Sequence, residues 1–366
     1  MKILHIAFSG LGGHGNVFFS MVDGDVDKTN EYEALFFGIE DVRKEYVEKA
    51  TARNIPWFFV KKKPGFDTGS FRQVSKIIQQ RLPDIIFLHS SAYIFPAKKA
   101  VFRSSKKMKI VVRETQPNHL KTKLEWVGLC FSLLFAGKVV FLSTEYRDYI
   151  KKRLALFYSD KRTAVIPNGI DLNKYAPASA NEAARSFIAI GMQSRLSESK
   201  DHQTLIDAFA LLLKNIPADK PVKLFIAGDG ICREALEKQV HTLHIADSVV
   251  FTGMLEETQL PAFINSLDIY VHATLGETMS TAIMQVMASR KPIIASDVLG
   301  VDNMIKHNEN GILVPARDAE KLSSAILELI LNNDKAAELA GNAYRFAKDN
   351  YSNKTMLKSY NKIFNA

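Results

Sequence analysis

The chain has 366 residues, of which 47% are hydrophobic and 24% are charged, so it is long enough for two domains and too apolar for a disordered chain. Its two cysteines, Cys130 and Cys232, exclude a disulfide framework or a cysteine-rich zinc site and favour a reducing, cytoplasmic location. The net charge of +9 is uneven, because residues 1–170 hold 28 Lys and Arg against 16 Asp and Glu, and the rest hold 20 against 23.

Short apolar strand candidates alternate with segments of helical period along the whole chain. This alternation predicts parallel sheets with crossover helices, and two runs of it predict two doubly wound, Rossmann-like domains of the α/β class. We expect the domains at 1–168 and 169–345 to face a cleft, with a helix at about 346–366 packing back on the first. The predicted strands are Ile3–Phe8, Ala34–Phe37, Trp57–Val60, Ile85–His89, Ile110–Arg113, Val139–Leu142 and Ala164–Ile166, then Phe187–Met192, Lys223–Ala227, Val249–Thr252, Ile269–His272, Pro292–Ala295 and Gly311–Val314.

The first predicted strand leads into a glycine-rich loop that contains Gly12 and Gly13. Glycines at this place let backbone N–H groups approach a phosphate, and the next helix points its positive end there. The spacing differs from the dinucleotide fingerprint, and no acidic residue ends the second strand, so a nicotinamide cofactor is not expected. The apolar run before the glycines is too short for a signal peptide.

The stretch Leu124–Leu142 is the most apolar part of the chain. A membrane-spanning helix needs about 20 apolar residues, and Glu125 and Lys138 shorten this one. We predict a buried or membrane-docked helix from Trp126 to Ala136, followed by a strand.

The basic residues of the first half are clustered. They are either solvated loops and helix faces or a surface that meets anionic lipid or a phosphate-bearing acceptor. Nucleic acid is not an expected partner, because no binding motif accompanies them. The clusters are Lys61-Lys62-Lys63, Lys98-Lys99, Arg103 to Lys109 and Lys151-Lys152-Arg153.

The second half places charged residues after its predicted strands. Arg195 and Lys200 follow the first of them, where both could reach one diphosphate and stabilise it as a leaving group, although two solvated cations would look the same. Glu277 precedes a predicted helix, and Gln285 lies about two turns further on. A carboxylate at this place could hold sugar hydroxyls, although an acidic residue near a helix N-terminus is common for the dipole alone.

The ordered set of motifs resembles the retaining GT-B glycosyltransferases of family 4, in particular bacterial enzymes that build lipopolysaccharide, capsule or lipid-linked glycans. The resemblance is strong from about Thr163 to Pro315 and weak before it. The motifs that carry it are Pro167–Asp171, Arg195 with Lys200, Gly228–Gly230, Phe251–Gly253, Glu277 to Ser296 and Asn310–Val314.

The resemblance implies a role for each matching residue. Arg195 and Lys200 would neutralise the donor diphosphate, and Glu277 would hold hydroxyls of the donor sugar. Gln285 stands where the family has a second glutamate that binds the ribose, so we expect altered ribose binding, because an amide NH₂ accepts no hydrogen bond. The remaining donor-binding residues implied are Gly12, Gly13, Gly253, Met254, Leu255, Thr278, Met279 and Ser280, with His119 and His89 as sugar or acceptor residues.

The expected reaction is retaining transfer of a hexose from a nucleotide-diphosphate sugar, with a UDP-sugar as the first candidate, to a glycan or lipid-linked acceptor. No cofactor and no metal are expected, because no Asp-x-Asp triplet follows a strand to hold one. An anionic membrane surface is a candidate partner of the basic first domain. Two alternatives stay open: a sugar-nucleotide epimerase on the same fold, and a non-catalytic subunit that binds a nucleotide sugar.

Overall fold

The computed structural model describes residues 1–10, 13–65, 67–116, 118, 121–177 and 186–366. The chain divides into two compact units. Unit 1 comprises Met1–Gly169 together with Asn353–Ala366, and unit 2 comprises Ile170–Ser352.

Unit 1 is built on a parallel sheet of seven strands in the order β3-β2-β1-β4-β5-β6-β7. The central strands β1 and β4 are buried along almost their whole length and are mostly apolar, as expected for a parallel sheet covered on both faces. Strand order reverses at β1 and β4, which makes the sheet doubly wound. The strands are β1 Lys2–Ala7, β2 Glu31–Gly38, β3 Trp57–Lys61, β4 Ile85–Leu88, β5 Lys109–Arg113, β6 Lys138–Phe141 and β7 Thr163–Val165.

Helices cover both faces of this sheet. Four helices (α3 to α6) share one apolar core with the sheet, and three (α1, α2 and α13) pack in the clusters on its other side. The helices of unit 1 are α1 Gly13–Gly24, α2 Lys44–Ala52, α3 Thr68–Arg81, α4 Ile94–Phe102, α5 Lys123–Phe135, α6 Thr144–Arg153 and α13 Asn353–Asn365.

The apolar stretch at Leu124–Leu142 forms a surface-packed helix and a strand. Thr122 caps α5 in a reciprocal capping box with Glu125, which starts the helix three residues before the predicted Trp126. One face of α5 is buried through Leu129 and Leu133. Within the residues that the structure describes, every helix is either too short or too polar for a membrane span.

Unit 2 repeats the architecture with a parallel sheet of six strands in the order β10-β9-β8-β11-β12-β13. Its strand order reverses between β8 and β11, and separate apolar clusters fill the two sides. The strands are β8 Ile188–Gln193, β9 Val222–Ala227, β10 Val249–Gly253, β11 Ile269–His272, β12 Ile293–Asp297 and β13 Ile312–Pro315.

Several helices of unit 2 begin at a capping side chain. Asp201, Ser280 and Asp318 each accept a hydrogen bond from a first-turn backbone N–H. The helices are α7 His202–Asn215, α8 Arg233–Thr242, α9 Leu260–Asn265, α10 Thr281–Ala288, α11 Ala319–Leu331 and α12 Asn333–Asn350.

The helical segment at the end of the chain is divided between the units. The backbone leaves the helical path at Tyr351, whose carbonyl accepts a hydrogen bond from Ile170 N at 2.9 Å. Residues 346–352 therefore belong to unit 2, and only α13 packs in unit 1, where Tyr360 lies 5.1 Å from the Phe87 ring.

The predicted fold class is confirmed, since both units are parallel α/β sheets of the Rossmann-like kind. Each of the thirteen predicted strands has its counterpart, with ends that differ by up to three residues. The reason is that parallel strands buried on both faces give short apolar runs that the sequence shows directly.

Candidate functional site

Three loops at the carboxyl ends of neighbouring strands in unit 2 are joined by backbone hydrogen bonds. The loop after β8 donates from Leu196 N to Asp229 O, in the loop after β9, at 3.0 Å. The same loop accepts at Ser199 O from Leu275 N, in the loop after β11, at 3.0 Å. These contacts form because β8 lies between β9 and β11 in the sheet. The middle loop is the one that holds Arg195 and Lys200.

Glu277 is the centre of a charged cluster at this edge of the sheet. Its Oε1 contacts Lys200 Nζ and lies 2.5 Å from His272 Nε2. The side chain is 12% exposed. Burial alone would raise the pKa of Glu277, but the charges and hydrogen bonds of His272 and Lys200 outweigh it and lower the pKa to about 2. The carboxylate is therefore ionised throughout the physiological range.

His272 was not singled out from the sequence, although it stands beside the carboxylate. It is the last residue of β11, and its Nε2 also lies 3.2 Å from Ser280 Oγ. Its Nδ1 lies 3.4 Å from the buried Tyr270 hydroxyl, two residues earlier on the same face of the strand. The sequence signal that could have identified His272 is its place as a polar residue at the carboxyl end of a central apolar strand. Ligands bind at that end of the strands in sheets of this kind.

Gln285 lies in a second polar group, inside unit 2. Its Oε1 accepts from Gln193 Nε2 at 2.6 Å, and its Nε2 donates to the Tyr175 hydroxyl at 2.8 Å. The amide is thus engaged at both ends by residues from β8 and from the segment before it. Neither Gln193 nor Tyr175 was predicted, because their positions in the chain give no sign of this contact.

His202 connects the first turn of α7 to the loop that carries Lys200. Its Nδ1 lies 2.8 Å from Lys200 O, and its Nε2 lies 3.0 Å from Ser194 Oγ. Burial is the main reason why the pKa of His202 falls to about 4. A neutral imidazole with both nitrogens engaged holds this loop in one arrangement.

Arg195 is exposed, one residue after the point where the loop approaches the turn that follows β9. Gly228 permits this approach, because its φ is +142° and a Cβ built there would lie 1.9 Å from Ser194 O. Arg195 is therefore held at the backbone while its guanidinium remains accessible to a ligand.

The other predicted residues are distributed over both units. Gly253 ends β10, and Met254 and Leu255 follow it in the next loop. Thr278 and Met279 lie in the loop between Glu277 and α10; Ser280 caps α10 and donates its N–H to Met304 Sδ at 3.3 Å. Gly13 is the first residue of α1 in unit 1, whereas Gly12 and His119 lie outside the described residues.

His89 lies in a buried cluster of unit 1. Its Nε2 is 3.0 Å from His5 Nδ1, and both rings contact Phe87. Burial is the main cause of a pKa of about 3 for His5 and for His14, and of a pKa well below the ordinary value for His89. A direct contact of His89 with a substrate stays a prediction, since its ring is fully enclosed.

The low pKa values of these histidines predict that acid destabilises unit 1. The folded-state pKa values lie below the ordinary 6.5, so below that pH the unfolded chain binds protons that the folded chain does not. The contribution of these histidines to the free energy of unfolding should be constant above about pH 7 and fall from pH 6.5 towards 3, by about 1.4 kcal/mol per pH unit for each histidine. Urea unfolding followed by tryptophan fluorescence isolates this unit, because Trp57 and Trp126 both belong to it.

The matched test compares two substitutions. His5→Gln keeps a hydrogen-bonding partner for His89. It should reduce the slope of the free energy of unfolding against pH by the contribution of about one bound proton. His241→Gln, at an exposed position, should leave the slope unchanged. Equal slopes for the two variants would contradict the assignment.

No group of three His, Cys, Asp or Glu side chains suited to a metal ion occurs among the residues that the structure describes. Metal independence nevertheless remains a prediction about the reaction.

Two family models match consecutive parts of the chain. Residues 11–174 match the model "Glycosyltransferase Family 4", and residues 180–346 match "Glycosyl transferases group 1". The two matches fall on unit 1 and unit 2, respectively, apart from a few residues at the junction.

Curated relatives are similar over part of their length. An uncharacterized glycosyltransferase of Methanocaldococcus jannaschii is 28% identical over 238 residues, which are 62% of this chain and 60% of that protein. The alpha-monoglucosyldiacylglycerol synthase of Streptococcus pneumoniae is 29% identical over 223 residues, 57% of this chain and 47% of that protein. The matches thus span about half the length of the relatives.

Solved structures share the fold over the whole chain. Anabaena HepE in complex with UDP and glucose superposes with a TM-score of 0.82 at 22% identity, covering 100% of this chain and 99% of that one. The lipopolysaccharide outer core galactosyltransferase WaaB superposes with a TM-score of 0.74 at 18% identity, covering 99% of each chain. Both halves of the chain thus match glycosyltransferase family models, and both units have the Rossmann-like fold of these GT-B structures.

Proposed function

We propose that the protein is a retaining, metal-independent glycosyltransferase that moves a hexose from a nucleotide-diphosphate sugar to a glycan or lipid-linked acceptor. The observation that carries the proposal is the contact of Glu277 with Lys200 and His272, one loop away from the exposed Arg195. A carboxylate held by Lys200 and His272, with a further cation in the loop of Lys200, suits a sugar diphosphate, which has hydroxyls to be held and a charged leaving group to be stabilised.

Glu277 would hold the sugar. Both of its contacts fall on Oε1, so Oε2 is the oxygen left to accept a hydrogen bond from a sugar hydroxyl. Lys200 and His272 orient the carboxylate and keep it ionised, which strengthens that hydrogen bond.

Arg195 and Lys200 would stabilise the departing diphosphate. Negative charge grows on the leaving group as the bond to the sugar breaks, and cations that are already in place cost no reorganisation. In the reaction that we propose, an oxygen of the donor phosphate accepts the proton of the acceptor hydroxyl on the same face of the sugar, which retains the anomeric configuration.

The nature of the substrates is proposed from the similar proteins. HepE was crystallised with UDP and glucose, which supports a UDP-sugar as the donor. Similar proteins are an alpha-monoglucosyldiacylglycerol synthase, a poly(ribitol-phosphate) alpha-N-acetylglucosaminyltransferase and the lipopolysaccharide outer core galactosyltransferase WaaB, which supports an acceptor in bacterial surface polysaccharide or glycolipid synthesis.

The donor is tested first by thermal shift with UDP-, GDP- and ADP-sugars and with CMP. We then measure release of the nucleotide from the stabilising donor, with and without diacylglycerol or lipopolysaccharide core oligosaccharide. Acceptor-dependent release that EDTA leaves unchanged supports the proposal. Conversion of the donor to an epimer without acceptor would indicate an epimerase, and binding without any turnover would indicate a non-catalytic subunit.

The amide at Gln285 predicts a measurable effect on ribose recognition. Gln285→Glu should strengthen UDP binding about threefold to tenfold and widen the preference for UDP over 2′-deoxy-UDP, because a carboxylate oxygen in place of the NH₂ group that donates to Tyr175 can accept a hydrogen bond from a ribose hydroxyl. Isothermal titration with both nucleotides measures this preference. Gln203→Glu, at an exposed position of α7, is the matched control. An unchanged preference in Gln285→Glu would show that this residue is remote from the ribose.

A further inference from the structure

A groove lined by cations lies between α3 and α4 of unit 1. Its volume is about 430 Å³. None of its four cationic side chains has an acidic partner among the described residues, whereas nearby Lys106 pairs with Asp84 at 2.7 Å. We call it the cationic groove; its lining residues are Arg72, Ser75, Lys76, Gln79, Lys99 and Arg103.

An apolar row lies on the solvent side of α5. Leu124, Val127, Phe131 and Phe135 are spaced by three or four residues, so they share one helical face. Each of them is between 42% and 46% exposed. Phe102, at the end of the neighbouring helix α4, is 87% exposed, and we call these five side chains the apolar ridge.

The cationic groove and the apolar ridge adjoin along α4. On one face of this helix, the Phe95 ring lies 5.1 Å from the Phe131 ring, and Lys98 Nζ lies 5.5 Å from the ring of Phe135. On the adjacent face, Lys99 and Arg103 line the groove. The apolar ridge thus has the cations of the groove beside it. The ammonium group of Lys98 lies over one of its rings, that of Phe135.

A further cation lies against the other side of α5. Arg153, in the last turn of α6, stacks on Trp126 with its Cζ 4.6 Å from the ring. Lys152 beside it is exposed. Positive charge therefore flanks the apolar ridge on both sides.

We propose that this face of α3, α4, α5 and α6 binds an anionic lipid bilayer. Contiguous exposed apolar side chains are unfavourable in water and gain free energy among acyl chains. Cations that flank such a row meet lipid phosphates at the depth of the headgroups, and arginine binds phosphate in a bidentate manner. An excess of unpaired positive charge selects an anionic surface rather than a neutral one.

The membrane proposal is separate from the proposed transfer reaction, because none of these residues belongs to the candidate donor site. The reaction could fail its test while the protein still binds vesicles. The reverse outcome, turnover without vesicle binding, would overturn only the membrane proposal.

The test is co-sedimentation of the full chain with phosphatidylcholine vesicles that contain either no phosphatidylglycerol or 30% of it, used here as a probe composition of about one anionic lipid in three. We expect binding to the anionic vesicles, at least tenfold weaker binding to the neutral ones, and release in 1 M NaCl, where the Debye length is about 3 Å. Equal binding to both vesicles, or binding to neither, would overturn the proposal.

Two sets of substitutions separate the parts of the surface. Lys76→Gln with Lys99→Gln and Arg103→Gln should weaken binding to anionic vesicles by about tenfold to a hundredfold, since each cation near the surface contributes about 1 kcal/mol. Phe102→Ser with Phe135→Ser should weaken it about tenfold or more. Circular dichroism confirms folding, which these exposed positions should not alter.

The matched controls change equivalent side chains elsewhere. Lys214, Lys238 and Lys358, all exposed, are replaced by glutamine, and the exposed Ile231 and Leu331 are replaced by serine. Both controls should bind as the unaltered protein does. Equal losses in the controls, or binding of a single-stranded RNA with the same dependence on the groove and no vesicle binding, would contradict the membrane assignment.

Discussion

Replacing Glu277 by glutamine is expected to lower kcat/KM for acceptor-dependent nucleotide release by about a hundredfold to a thousandfold, the range seen when one charged or hydrogen-bonding group leaves an organised site. Glutamine keeps the shape of the side chain but removes the charge that Lys200 and His272 face. Its NH₂ group also replaces an acceptor with a donor.

The loss should lie in kcat more than in KM, because the lost hydrogen bond strengthens as the sugar develops positive charge. The free energy of unfolding should fall by about 1–3 kcal/mol, since a partly buried ion pair loses one partner. Glu234→Gln, at an exposed position of α8, is the matched control and should keep full activity. Activity of Glu277→Gln within threefold of the unaltered protein would remove the carboxylate from the mechanism.

Substituting alanine for Gly300 is expected to reduce kcat/KM at least tenfold without touching a side chain of the site. Gly300 has a φ of +88°, and a Cβ built there would lie 2.0 Å from the carbonyl oxygen of Glu277. The clash must displace the Glu277 backbone, which is otherwise held by the hydrogen bond from Glu277 N to Leu299 O at 3.1 Å. A displacement of about 1 Å at such a residue costs up to a hundredfold in rate.

The same substitution should also lower Tm, because the left-handed backbone region costs an alanine about 1 kcal/mol or more. Gly341→Ala is the control for a general effect of replacing glycine by alanine, because a Cβ at Gly341, within α12, meets no atom within 4 Å. That control should keep its activity and gain about 0.5–1 kcal/mol of stability. A Gly300→Ala protein with unchanged kcat/KM would show that the position of the Glu277 backbone is unimportant for the reaction.

Part of the candidate site could be predicted from the sequence and part could not, for a physical reason. Arg195, Lys200 and Glu277 follow strands that are neighbours in the sheet, so the rule that ligands bind at carboxyl strand ends brings them together once the strands are recognised. The backbone hydrogen bonds that Leu196 and Leu275 donate to neighbouring loops show that these loops lie side by side. His272 was missed because its side chain is counted with the strand rather than with the loop that follows it.

The amino-acid sequence by itself determined the α/β class, the strands and the order of the motifs, because buried parallel strands and the turns after them are local patterns of apolar residues, glycine and proline. The tertiary structure decided which polar groups meet. The pairing of Gln285 with Gln193 and Tyr175 joins residues about 90 to 110 positions apart, and no local pattern encodes such a contact. It also decided that α5 buries Leu129 and exposes Phe131, since which face of an almost wholly apolar helix meets the core depends on its neighbours.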